Sequence, residues 1–144
     1  MILVDSNIFL DVFDTESSWA EWSINQLTTL ANDDHLAINP IIYAEISNRF
    51  VSASDLDAEL PETIYWRLPL PYEAAYLAGQ AYKLYRTRGG TKSAPLPDFY
   101  IGAHALYAGM KLLTRDASKY KTYFPELELI TPDSPTSTNR PAHH

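Results

Sequence analysis

The 144-residue chain contains no cysteine. That excludes a disulfide framework, a thiolate metal site and a cysteine nucleophile. Glycine is scarce, with 5 in all, and the Gly89-Gly90 pair is not followed by the Gly-Lys-Ser/Thr signature of a phosphate-cradling loop. No uncharged apolar run approaches the roughly 20 residues of a membrane helix. No basic flank precedes the first hydrophobic run, so a secretory signal is not expected and a soluble, cytoplasmic protein is. Positive charge is also in short supply: 11 Lys and Arg against 18 Asp and Glu leave a net charge of −7. Such a balance argues against a broad basic surface for polyanions.

What remains is ample apolar material. At 46% hydrophobic residues, the chain is long enough to bury one core, and no internal repeat divides it. Ile2-Leu3-Val4 reads as a short buried strand ending at Asp5. Ser17-Ser18 offers an N-cap for a helix carrying Trp19, Trp22, Ile24, Leu27 and Leu30 to about Asn32. His35 to Asn39 reads as a second strand, and Pro40 opens a helix carrying Ile42, Glu45, Ile46 and Arg49. The stretch from Val51 to Pro71 is weakly patterned, with a helical excursion near 54–60 and an extended piece at 64–68. An amphipathic helix spans 73–88, and a small-residue helix runs from Asp98 to a Gly109 C-cap. Strands at 111–114 and 127–130 flank a helical turn at 117–120. The Pro-, Ser- and Thr-rich residues 133–144 are expected to form a disordered tail after a domain of residues 1–132. Apolar strands alternating with helices predict a short parallel sheet covered on both faces.

Four acids sit at the boundaries of these elements: Asp5, Glu45, Asp98 and Asp116. Each alone has an ordinary explanation. Asp5, Asp98 and Asp116 suit helix starts, and Glu45 suits an ion pair with Arg49 one turn on. Together they point to one converging site, because carboxylates at strand ends are costly to desolvate unless paired or bound to a cation. A bound cation also inverts the charge argument, turning an acidic patch into an attractor of phosphate. The basic residues cluster near two of these acids, with Lys83, Arg86, Arg88 and Lys92 before Asp98 and Arg115, Lys119 and Lys121 around Asp116. His104, about 240° around a helix from Asp98, points away from that face and reads as packing. Trp19 and Trp22 read as core or partner surface, and Asp11 and Asp14 as solvated helix ends.

The stretches Val4-Asp5-Ser6-Asn7, Ala44-Glu45-Ile46, Leu96-Pro97-Asp98-Phe99-Tyr100-Ile101-Gly102-Ala103-His104-Ala105 and Leu113-Thr114-Arg115-Asp116 carry a family likeness. In order and spacing the chain resembles the PIN-domain ribonucleases, and among them the VapC-type toxins of toxin–antitoxin pairs. The resemblance implies a three-layer α/β/α fold and an acidic site at Asp5, Glu45, Asp98 and Asp116, with Asn7 and Thr114 in support. It implies Mg²⁺ or Mn²⁺ as cofactor, RNA as substrate, a cognate antitoxin and a homodimer paired through the helix at 73–88 or that from Asp98. The tail of an antitoxin would cover an apolar surface, for which the stretch from Val51 to Leu70, with Tyr65 and Trp66, is the candidate. The competing readings are a PIN nuclease that is not a toxin, a silent PIN-fold binding module and a phosphoacceptor α/β domain. The last lacks a second aspartate two residues after Asp5.

Overall fold

The computed structural model describes residues 1–93 and 96–132. The tail expected at 133–144 lies outside the described residues. Five strands form one parallel sheet: β1 (Ile2–Val4), β2 (Leu36–Ile38), β3 (Tyr65–Arg67), β4 (Lys111–Leu113) and β5 (Leu129–Ile130), in the order β3-β2-β1-β4-β5. Leu3 of β1 lies between Ala37 of β2 and Leu112 of β4. All residues of β1 and β2 are buried, which requires cover on both faces and explains their unbroken apolar sequence. Helices supply that cover in a three-layer α/β/α arrangement: α1 (Ser6–Phe13), α2 (Ala20–Asp33), α3 (Pro40–Ser47), α4 (Ala53–Glu59), α5 (Tyr72–Thr87), α6 (Pro97–Ala108) and α7 (Ser118–Tyr123). None is long and apolar enough to cross a membrane.

The chain moves outward from β1 through β2 to β3, then returns to lay β4 on the other side of β1. The reversal opens a crevice beyond the carboxyl ends of β1 and β4, the place where parallel α/β sheets hold ligands. Helix starts bring the acids there. Asp5 caps α1, accepting from the Ser6 N–H. Asn39 caps α3, accepting from the Ile42 N–H, with Pro40 in the first turn. Pro97 opens α6, and Gly109 closes it at φ +68°, a left-handed conformation that favours glycine.

Close approach of α6 to the end of α7 depends on Gly102, one turn after Asp98. A Cβ there would stand 2.6 Å from the Phe124 ring. Phe99, Trp22, Ile8 and Ile42 fill the surrounding core.

Two local expectations change. Trp19, not Ser17 or Ser18, precedes α2 as its cap position, and the Ser17 Oγ instead accepts from the Trp19 N–H at 3.1 Å. Helix α3 stops at Ser47, so Arg49 lies past its end, and Glu45 meets the Ser6 hydroxyl instead of Arg49.

Candidate active site

Asp5 is the centre of the constellation. Its residue is 3% exposed, and every hydrogen bond recorded to its carboxylate comes from a neutral group. One oxygen, Oδ1, accepts from the Ser6 N–H at 2.7 Å. The other, Oδ2, accepts from the Thr114 hydroxyl and from the Tyr120 phenol, both at 2.8 Å. The Asn7 amide nitrogen donates to Thr114 Oγ1 at 3.1 Å, while Asn7 Oδ1 accepts from the Arg115 N–H at 3.1 Å. Asn7 and Thr114 thus hold the end of β4 against the start of α1.

Two hydroxyls link Asp5 to its acidic neighbours. Ser6 Oγ donates to Glu45 Oε1 at 2.9 Å and stands 3.4 Å from Asp5 Oδ1. The Tyr120 hydroxyl stands 3.4 Å from Asp98 Oδ1. Asp98 also faces the Lys119 ammonium at 3.7 Å. Asp116 is exposed, and its Oδ1 accepts from the Ser118 hydroxyl at 3.0 Å.

Asp5, Glu45, Asp98 and Asp116, with Ser6 and Asn7, line one hollow of about 250 Å³ that Lys119 and Tyr120 help to wall. The four acids come from the β1–α1 junction, α3, the first turn of α6 and the loop after β4. Strands β1 and β4, which lead to Asp5 and Asp116, lie side by side as the sequence implies.

The acids share a hollow without closing on a point. Among the described residues, no three acidic or histidine side chains are arranged to hold a metal ion, contrary to the tight gathering expected from the sequence. The Ser6 hydroxyl stands between Asp5 and Glu45, and the Tyr120 hydroxyl between Asp5 and Asp98.

Electrostatics identify the group under most stress. Burial pushes the Asp5 carboxyl up from 3.8 to about 6 against the hydrogen bonds of Tyr120 and Thr114, and the carboxylates of Asp98 and Glu45 add to the rise. Burial also raises Glu45, with Asp98 contributing, while the Ser6 hydroxyl pulls it down. Tyr120 is raised well above 10, first by burial and then by Asp5 and Asp98, so it remains a phenol and a donor. An all-oxygen, all-carboxylate donor set suits a hard divalent cation such as Mg²⁺ or Mn²⁺. A cation would also relieve a buried carboxylate that has no basic partner. The donor chemistry fits.

Sequence reasoning missed Tyr120. Its place in α7, just after Asp116, puts its hydroxyl at the same hollow. Ser6 carries no distinctive signal, since small polar residues commonly follow strands. One other reading changes. Asp11 is not solvated: it is 5% exposed and pairs with Arg115, Oδ2 to Nε, at 2.7 Å. His104 is packing as expected, 2% exposed with its Nδ1 3.0 Å from the Asn39 amide nitrogen, and Trp22 is core. Burial lowers the His104 pKa, consistent with a neutral ring accepting from Asn39.

The family model described as "PIN domain" matches residues 2–125. The chain belongs to the PIN domain family. No curated protein sequence matches significantly. Among solved structures, the PIN fold here is similar to a chain of VapBC2 from Rickettsia felis bound to a promoter DNA fragment. The identity is 19%, covering 91% of this chain and 98% of that one, with a TM-score of 0.70. A chain of VapBC-1 from nontypeable Haemophilus influenzae matches at 21% identity, 91% and 98% coverage and a TM-score of 0.68. VapC20 from Mycobacterium tuberculosis, a toxin that cleaves the sarcin-ricin loop, matches at 14% identity, 89% and 99% coverage and a TM-score of 0.58. At these identities the likeness is one of fold.

Proposed function

We propose that this PIN domain is a divalent-cation-dependent endoribonuclease and the toxin of a toxin–antitoxin pair. The observation that carries the reading is the hollow at the β1/β4 crevice, where three further elements present Glu45, Asp98 and Asp116 around a buried Asp5. Asp5, Glu45, Asp98 and Asp116 would hold Mg²⁺ or Mn²⁺, with Asn7 and Thr114 fixing the Asp5 end. When bound, the cation neutralises phosphate charge and makes a water more acidic.

The chain's own groups divide the remaining work. Thr114 and Tyr120 hold Asp5 Oδ2, so that carboxylate is oriented before any ligand arrives. Glu45, whose pKa burial raises, is suited to accept a proton from the attacking water when it is not engaged as a ligand. Water attacks phosphorus and gives its proton to the base, the bond from phosphorus to O3′ breaks, and O3′ takes up a proton from solvent water. The products are a 5′-phosphate and a 3′-hydroxyl. Lys119, at the wall of the hollow, is placed to meet an adjacent phosphate once released from Asp98.

The partner side of the reading rests on the VapBC complexes among the structural neighbours. The candidate surface between Val51 and Leu70 supports it: Val51 is fully open, and Ile64 and Trp66 are 49% and 41% exposed. An apolar hollow of about 410 Å³ beside it is lined by Ile38, Pro40, Tyr43, Arg67, Leu68 and Pro69. A second copy would pair through α5 or α6, where Tyr72, Tyr76 and Tyr107 are exposed. Expression in a bacterial host tests the toxin claim. Induction of the wild type should arrest growth, Asp5→Ala should not, and co-expression of the adjacent antitoxin gene should relieve the arrest. Arrest that persists in Asp5→Ala would place toxicity elsewhere.

A further inference from the structure

Arg115 stands between Thr114, which holds Asp5, and Asp116, which lines the hollow, yet it does not line the hollow itself. Its guanidinium pairs with Asp11 at 2.7 Å and lies 5.7 Å from the centre of the Trp19 ring. Asp11 is 5% exposed, and its other contacts are the hydroxyls of Ser17 at 3.3 Å and Ser23 at 3.2 Å. A carboxylate so buried requires its cation, and removing either partner leaves the other uncompensated. The main chain of residue 115 is held independently, its N–H donating to Asn7 Oδ1 at 3.1 Å.

Asn7 and Asp11 are four residues apart on α1, hence on one face of it. One helix therefore grips residue 115 twice, by its backbone and by its side chain. The same helix starts at Asp5. We infer that Asp11 and Arg115 are positioning residues, a clamp by which α1 sets where Asp116 stands relative to Asp5. Arg115 acts through this clamp and makes no phosphate contact. The inference rests on the reading of the acidic hollow as a cation site, but its mechanical part does not.

Amide hydrogen exchange of the metal-free protein tests the mechanical part. Asp11→Asn and Arg115→Met should each speed exchange at Arg115 and Asp116 by about tenfold or more, while Leu3 and Leu112 keep their protection. Arg115→Lys, which retains the charge, should restore most of the protection. Unchanged exchange at 115 and 116, or equal acceleration throughout the sheet, would overturn the clamp. The second readout is Mn²⁺ affinity by electron paramagnetic resonance, at a temperature where every variant is folded. Asp11→Asn and Arg115→Met should bind Mn²⁺ about fivefold or more weakly, with Arg115→Lys close to wild type. Equal affinity in all variants would reduce the clamp to a fold-stabilising ion pair. A wild type that binds no Mn²⁺ would instead refute the proposed function, with the exchange data still deciding the clamp.

Discussion

The Tyr120 phenol donates a 2.8 Å hydrogen bond to Asp5 Oδ2 and sits 3.4 Å from Asp98 Oδ1, joining the end of β1 to the start of α6 through α7. This bond is one of two that hold the Asp5 carboxyl down against burial, the other coming from Thr114. Tyr120→Phe should therefore move the Asp5 titration above about 6. The lost bond to a charged acceptor should cost about 1.5–3 kcal/mol at neutral pH. Carboxyl-carbon NMR titration measures the first and chemical denaturation the second. An unmoved Asp5 titration would remove Tyr120 from the site's electrostatics.

Stability should carry the signature of Asp5. Its folded pKa, about 6, lies above the unfolded value near 3.8, so the folded state binds more protons between these limits. Metal-free stability contributed by this group is therefore full below pH 3.8 and falls as pH rises through about 6. The loss amounts to about 3 kcal/mol. Asp5→Asn lacks this slope, so wild type minus variant should decline across that window in urea titrations. A difference that rises with pH would reverse the argument.

Asp98 raises both Asp5 and Glu45 and is itself accessible beside Lys119. Asp98→Asn should lower the Asp5 titration and abolish cleavage. Metal-free stability should stay within about 1 kcal/mol, since the exposed pair to Lys119 contributes little. Saturating Mg²⁺ should raise the wild-type melting temperature by about 5–10 °C and the variant's by much less. Differential scanning fluorimetry checks both. A variant that unfolds while cleaving RNA would make Asp98 structural.

Gly102 sets the distance between α6 and Phe124. Gly102→Ala places a methyl group 2.6 Å from that ring, and overpacking of this kind costs about 1–3 kcal/mol. Asp98 lies one turn earlier on α6, so cleavage should fall together with stability. Wild-type activity in a stable Gly102→Ala would show that α6 has room to spare.

The strand ends and their acids were legible because Ile2-Leu3-Val4 and Leu112-Leu113 carry the apolar pattern that a covered parallel sheet demands. Asp5, Glu45, Asp98 and Asp116 stood out as charges at the edges of such runs, and the structure brings all four to one hollow. Tyr120 and Ser6 did not stand out, since a hydroxyl costs little at many positions and its partners are set only by tertiary packing. Asp11 and Arg115, 104 residues apart, are joined by the return of β4 to the side of β1. No periodicity in the sequence reports that pairing.

The central claim is that the acidic hollow hydrolyses RNA with a divalent cation. Purified protein and a 5′-labelled RNA, incubated with Mg²⁺ or Mn²⁺ and with EDTA, test it through product end-groups. The account predicts cleavage that stops in EDTA and in Asp5→Ala and leaves 5′-phosphate and 3′-hydroxyl ends. Full cleavage in EDTA with cyclic-phosphate ends would contradict it.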